Sequence, residues 1–176
     1  MKKITPLLLL SFFLTPIFGQ SQRKITTYLS AQYTKTVRDI TLGNNPWGVG
    51  LGVQSFLNNK SKFKPTIELT SDIYLEDDKV WRSDSIGTPF NDLGGMTNLF
   101  IGSSFHPTKN SYLSFVAGPS FLGGQTLLGI KPSIGFYFSN KQKLTGKISY
   151  INIFNRGQII KENFTSWSIS LGVKLF

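Results

Sequence analysis

The side chains able to do covalent chemistry are few. His106 is the sole histidine, and Ser103 and Ser104 lie just before it. A hydroxyl, an imidazole and a carboxylate in mutual hydrogen-bond contact would make an acyl-transfer nucleophile. Geometry comes before pKa in such an assignment, and the plain alternative is a turn histidine beside Pro107. A single histidine excludes a metal site or a relay built on several imidazoles. The acids Glu76, Asp77 and Asp78, with Asp84 and Asp92, offer the oxygen ligands a calcium ion takes. Their spacing is not that of an EF-hand loop, and a run of charges usually only keeps a loop solvated. The glycines within the strands fit the period of two, and the chain has no glycine-rich phosphate-cradling loop. Nothing in the chain calls for a cofactor.

What must position these residues is legible as alternation. Apolar and small or polar residues alternate over 24–35, 47–57, 65–75, 96–105, 112–121, 126–138, 143–154 and 164–176. A period of two is the mark of a strand with one wet and one apolar face. In 47–57, for example, Val49, Leu51, Val53 and Leu57 oppose Gly48, Gly50, Gly52, Gln54 and Phe56, and the three glycines leave room for large neighbours. In 65–75, Ile67, Leu69, Ile73 and Leu75 oppose Thr66, Glu68, Thr70, Asp72 and Tyr74. Pro132 sits inside the sixth segment and predicts a bulge or a broken ladder there. Fifteen Phe and abundant Gly, with 16% charged residues, also favour sheet over helix.

Residues 1–19 stand apart. Met1-Lys2-Lys3, a short apolar run broken by Pro6 and Pro16, and Gly19 read as a secretory signal peptide, leaving 20–176 as one barrel domain. Without Lys2 and Lys3 the chain keeps 17 of its 19 basic residues against 9 acidic ones, a net charge of +8. The lysines are scattered through turns and form no stripe, which points to an anionic membrane surface and away from nucleic acid. The absence of cysteine removes a disulfide framework and the acceptor for a lipid anchor at the mature amino-terminus.

Connections 36–46, 76–95 and 155–163 are long, whereas 58–64, 107–111 and 139–142 are short; 122–125 is short where a long one is expected. An even number of strands of about ten residues, with short turns at one end and long loops at the other, is what an outer-membrane barrel needs. Unpaired strand edges are not tolerated in hydrocarbon, so the sheet must close. The fold class read here is therefore all-β: an eight-stranded antiparallel up-and-down transmembrane β-barrel with both termini at the short-turn end. Eight strands give an interior just wide enough for side chains to fill, without an open pore. Glu68, Asp72, Lys131, Lys147, Gln32 and Gln54 point inside, where a charge is tolerable only with a partner, so an acid–base network is expected. Trp47, Tyr74, Tyr112, Phe138, Phe154, Phe164 and Trp167, at strand ends, are assigned to interfacial girdles, and the basic short turns suit anionic head groups.

The signal peptide, the eight amphipathic segments and the terminal Leu-Gly-Val-Lys-Leu-Phe resemble the family of small outer-membrane β-barrels of porin-superfamily type. The resemblance implies the bilayer and lipopolysaccharide as surroundings, a Gram-negative outer membrane as location, and Phe176 as the signal read by the barrel-assembly machinery. In that family the last Phe is in phase with the apolar face. Here Phe176 shares the parity of Ser170, Gly172 and Lys174, so it points inward or a bulge precedes it. The functional reading is a non-enzymatic barrel, structural or presenting its loops, with an external ligand at 76–95 as a candidate partner. The alternatives are a lipid-modifying barrel resembling the lipid A deacylases, which also use His, Ser and an acid, and a narrow channel. Topology places His106 at the periplasmic rim, the wrong end for outer-leaflet lipid.

Overall fold

A computed structural model describes residues 25–37, 47–75, 94–122, 124–138, 141–154 and 163–176. The alternating segments form eight strands: β1 (Ile25–Thr36), β2 (Trp47–Leu57), β3 (Phe63–Leu75), β4 (Gly95–Phe105), β5 (Ser111–Leu122), β6 (Gln125–Tyr137), β7 (Leu144–Ile153) and β8 (Phe164–Lys174). Each pairs antiparallel with its neighbour in sequence, and β8 pairs with β1, so the sheet is a closed barrel without edges. The paired positions Thr27, Ser55, Ile67, Ile101, Ala117, Ile130, Asn152 and Thr165 lead once around. Thr165 then accepts from the Val37 amide at 3.0 Å, ten positions beyond Thr27 on β1. This stagger tilts the strands, so a line of paired residues climbs from the short-turn end toward the long-loop end as it passes from β1 to β8.

The outward positions are apolar and exposed, among them Leu29, Leu51, Ile67, Ile101, Ile148, Ile169 and Leu171. That is the reverse of a water-soluble protein and is what lipid as a solvent demands. Two interruptions in the ladder sit at prolines. Between β6 and β7 the pairs at Lys131 and Pro132 are missing, but Ile130↔Asn152 and Ser133↔Ser149 keep one register. Between β4 and β5 the pairs at Gly118 and Pro119 are missing. Proline has no N–H to donate, so the ladder pauses without slipping. The connection 123–124 stays short because Leu122 pairs with Gln125 and Gly124, at φ 77°, adopts the left-handed backbone of a tight hairpin.

The interior is not uniformly polar, as a strict apolar-out, polar-in alternation would make it. At the long-loop end Tyr74, Met96, Phe100, Val116, Leu122, Ile151, Ile153 and Phe164 form a buried apolar cluster. At the short-turn end Tyr28, Phe56, Tyr112 and Tyr137 form a second cluster. Tyr74, Tyr112 and Phe164, assigned to the outer girdles, therefore belong to these inner layers. The reason is that a narrow eight-stranded lumen must be filled by side chains at close-packed density, so large inward residues are buried in it. Outside, Tyr33 stacks on Trp47 and Tyr150 packs on Trp167 at the long-loop end, while Phe63 packs on Phe105 at the short-turn end. Phe138, at the short-turn end, and Trp167, at the long-loop end, are exposed on the outer face.

The last strand keeps its parity to the end. Ser170 and Gly172 are buried and Lys174 and Phe176 half-buried, while Leu171, Val173 and Leu175 are exposed. The Leu175 amide donates to Thr27 O at 2.8 Å and the Thr27 amide donates to Phe176 O at 3.1 Å. Two residues thus oppose one, the count of a β-bulge, at the final step of the chain.

Candidate functional site

The barrel axis is occupied by a polar layer held between the two apolar ones. Even-parity side chains of β1, β2 and β3 and odd-parity ones of β6 and β7 face this layer because the strands alternate. Glu68 on β3 is fully buried, and its Oε1 accepts from Lys131 Nζ at 2.7 Å and from Lys147 Nζ at 2.8 Å. Both lysines are buried too, so three charges share one dry centre. Gln54 Oε1 accepts from Lys147 Nζ at 3.4 Å and from the Tyr112 hydroxyl at 3.2 Å. Asp72, two same-face positions further toward the long-loop end of β3, takes its hydrogen bond from Gln32 Nε2 at 2.6 Å. The structure thus brings Glu68, Lys131, Lys147 and Gln54 together, and pairs Asp72 with Gln32 and not with a lysine. The carboxylates and the lysines balance in charge, which lowers the cost of burial in a medium where an unpaired ion would be expelled.

Glycines make the space for this. A Cβ on Gly50 would land on the Asp72 carboxylate, and one on Gly135 on the Tyr112 ring. The Tyr112 hydroxyl, Asn98 and Thr70 extend the polar layer, with Asn98 Nδ2 donating to Thr70 Oγ1 at 3.1 Å. The sequence reading gave Asn98 no role and put Tyr112 in the outer girdle. Their signal was parity: Asn98 falls in step with Gly102 and Ser104, and Tyr112 with Ser114.

His106 closes the short-turn mouth. Its ring stacks against Tyr112 at 5.5 Å and Tyr137 at 6.3 Å and meets Phe56 edge-on at 5.3 Å. Its amide donates to Lys62 O at 2.8 Å, joining two turns. Burial among these rings, aided by the nearby Lys64 charge, pushes the imidazole pKa down to about 4. The serines beside it go elsewhere: Ser104 Oγ shares a hydrogen bond with Thr66 Oγ1 at 2.7 Å inside, and Ser103, exposed on the outer face, reaches Lys64 O at 3.5 Å. The three do not converge on one point as an acyl-transfer site requires. The acidic stretch 76–93 lies outside the described residues.

No protein-family model matches the chain, and no curated protein does. Solved structures do. The outer-membrane protein Ail of Yersinia pestis, in a phospholipid nanodisc, superposes with a TM-score of 0.57 at 10% identity, over 85% of this chain and 99% of that one. The fold is that of a small outer-membrane β-barrel. The barrel is likewise similar to Neisserial surface protein A (TM-score 0.51, 12% identity, 86% and 96% of the two chains). It is similar as well to a de novo designed transmembrane β-barrel (TM-score 0.52, 9% identity, 89% and 100%). A designed chain among the likenesses shows that this barrel shape carries no function by itself. In the barrel described here, what distinguishes the two ends is their loops: the connections 37–46, 76–94 and 154–163 all leave from one end.

Proposed function

We propose that this protein is an exported, non-enzymatic barrel of a Gram-negative outer membrane that holds its long connections outside the cell for a surface partner. The observation that carries the reading is the interior. A charge-balanced polar layer clamped on Glu68 lies between an apolar plug and an aromatic lid. Side chains so packed serve to hold the wall in one shape, so what remains for function is what the wall displays. The names of the two natural proteins of like fold, an attachment invasion locus protein and a surface protein, support a role at the cell surface by analogy of fold. Export rests on the signal peptide read at 1–19, and insertion on Phe176 as the recognition end for the assembly machinery. The stretch 76–93 is the longest of the connections and the first candidate for the partner-binding element.

The test is replacement of 76–93 by a short Gly-Ser linker in cells. The barrel is expected to stay in the membrane fraction and to keep heat-modifiable migration, while adhesion to host cells or matrix is lost. Adhesion unchanged by removal of each long connection in turn would overturn the reading. Recovery of the full-length protein from the soluble periplasm would overturn its membrane part. Stepwise conductance in planar bilayers would favour the channel instead, and a His106→Ala change in lipid A composition would favour the enzyme.

A further inference from the structure

The outer face of the barrel carries a groove. It begins at the Phe63–Phe105 ring pair beside the short turns, passes Ser103 and Pro132, and reaches Tyr150 and Trp167 near the long-loop end, with a volume of about 710 Å³. Its cause is local. Ser103 and Pro132 are small outward residues flanked by Phe105, Phe115 and Ile134, so a trough is left where the neighbouring strands carry bulk. Because lines of paired residues climb toward the long-loop end from β3 to β8, this trough runs up through the thickness of the apolar belt and does not merely circle it. Its lining is almost wholly apolar, and its volume lies within the range of small-molecule sites.

The lower mouth of the groove is cationic. Lys62 immediately precedes Phe63, and Lys109 lies in the turn between Phe105 and Leu113, both lining residues. The two turns are tied by the His106 amide to Lys62 O bond of 2.8 Å, so these exposed lysines share one rim. Lys60 is exposed on the same turn as Lys62. The segments 58–64, 106–111 and 138–143 contain six lysines and no Asp or Glu side chain. Among the described residues of these turns, no carboxylate side chain stands beside Lys62 and Lys109. At the upper mouth Trp167 pairs with Lys35, which sits between Trp47 and Trp167.

We infer that the groove is a binding site for one anionic phospholipid of the leaflet at the short-turn end, its acyl chain along Ser103 and Pro132 and its phosphate on Lys62 and Lys109. The inference rests on the bilayer-facing reading of the outer surface given above. Charge complementarity selects the head group and the shape of the trough selects a chain over a protein partner. Lysine near a membrane surface favours an anionic over a zwitterionic lipid by roughly five-fold for each residue.

The experiment is native mass spectrometry of the full chain refolded in nanodiscs of equal phosphatidylglycerol and phosphatidylethanolamine. Heat-modifiable migration is checked for every sample, so failure of the barrel itself is seen separately. The wild-type chain is expected to retain phosphatidylglycerol in preference by roughly five-fold or more. Lys62→Gln with Lys109→Gln should bring the preference close to parity while one lipid stays bound. Ser103→Phe, with Ile148→Trp as a second groove-filling variant, should lose both lipids alike. Lys35→Gln should change nothing. Absence of preference in the wild-type chain, or preference surviving the double lysine change, would overturn the assignment. So would retention unaffected by both groove-filling variants, or loss on Lys35→Gln, which would move the head group to the other leaflet.

Discussion

Glu68 is the residue on which the interior turns. Its single oxygen Oε1 takes both lysine contacts, so removing that carboxylate strands two ammonium groups in a dry lumen. Glu68→Gln is expected to destabilise the folded barrel by about 3–5 kcal/mol, read from urea unfolding in lipid vesicles by the gel-shift assay. Replacing all four buried ions together, as Glu68→Leu and Asp72→Asn with Lys131→Met and Lys147→Met, should recover most of that loss, because no charge is then left unpaired. His106 makes the pH dependence. Its folded pKa of about 4 lies below the unfolded value of 6.5, so the unfolded chain binds the proton more readily between the two. The stability contributed by the stacked neutral ring is whole above pH 6.5 and is lost as pH falls toward 4. Urea midpoints measured at pH 7 and pH 5 should differ for the wild-type chain, and His106→Phe should narrow the difference.

At the scale of the strands, small residues decide where large ones go. Gly135 on β6 faces the Tyr112 ring of β5 so closely that a side chain there must displace it. Gly135→Val is expected to cost about 1–3 kcal/mol by overpacking, measured by the same unfolding assay, with Tyr112→Phe in the same chain failing to relieve it. The strands themselves were legible because outward Leu, Ile and Val alternate with inward Gly, Ser and Thr. Charged interior residues were legible for the same reason: Glu68, Lys131 and Lys147 stand in phase with small polar neighbours. Met96, Phe100, Val116, Ile151 and Ile153 were not, since an apolar residue suits either face and its type alone does not say which. Only counting from Asn98, Ser104, Ser114 and Ser149, their neighbours in phase, puts them inside. Nor did the sequence say that Asp72 would meet Gln32, a partner set by the pairing of β1, β2 and β3 and the space over Gly50. The pause at Pro132 was readable from the missing donor; that the register survives it was not.

For the molecule as a whole, the greasy side faces out. Leu51, at the centre of β2, is 62% exposed, and an arginine there must sit in hydrocarbon. Leu51→Arg should cost about 2–4 kcal/mol in vesicles, whereas the same change at Leu57, beside the short turn, should cost about 0–1 kcal/mol, by urea titration of the two variants side by side.

The apolar plug also sets a timetable. None of the eight buried residues of the plug comes from β1 or β2, whose inward positions at that end are Thr34, Gly48 and Gly50. The first hairpin is thus anchored by Tyr28 and Phe56 at its short-turn end and, at the other, chiefly by its backbone ladders and the Gln32–Asp72 bond. A wall of uniform outline then opens unevenly: the far ends of β1 and β2 are the first to exchange their amide hydrogens with solvent and the last to dock when the ring closes on β8. Amide exchange in nanodiscs is expected to be faster at Thr34 and Gly48 than at Met96 and Ile153, so that the barrel breathes at one seam.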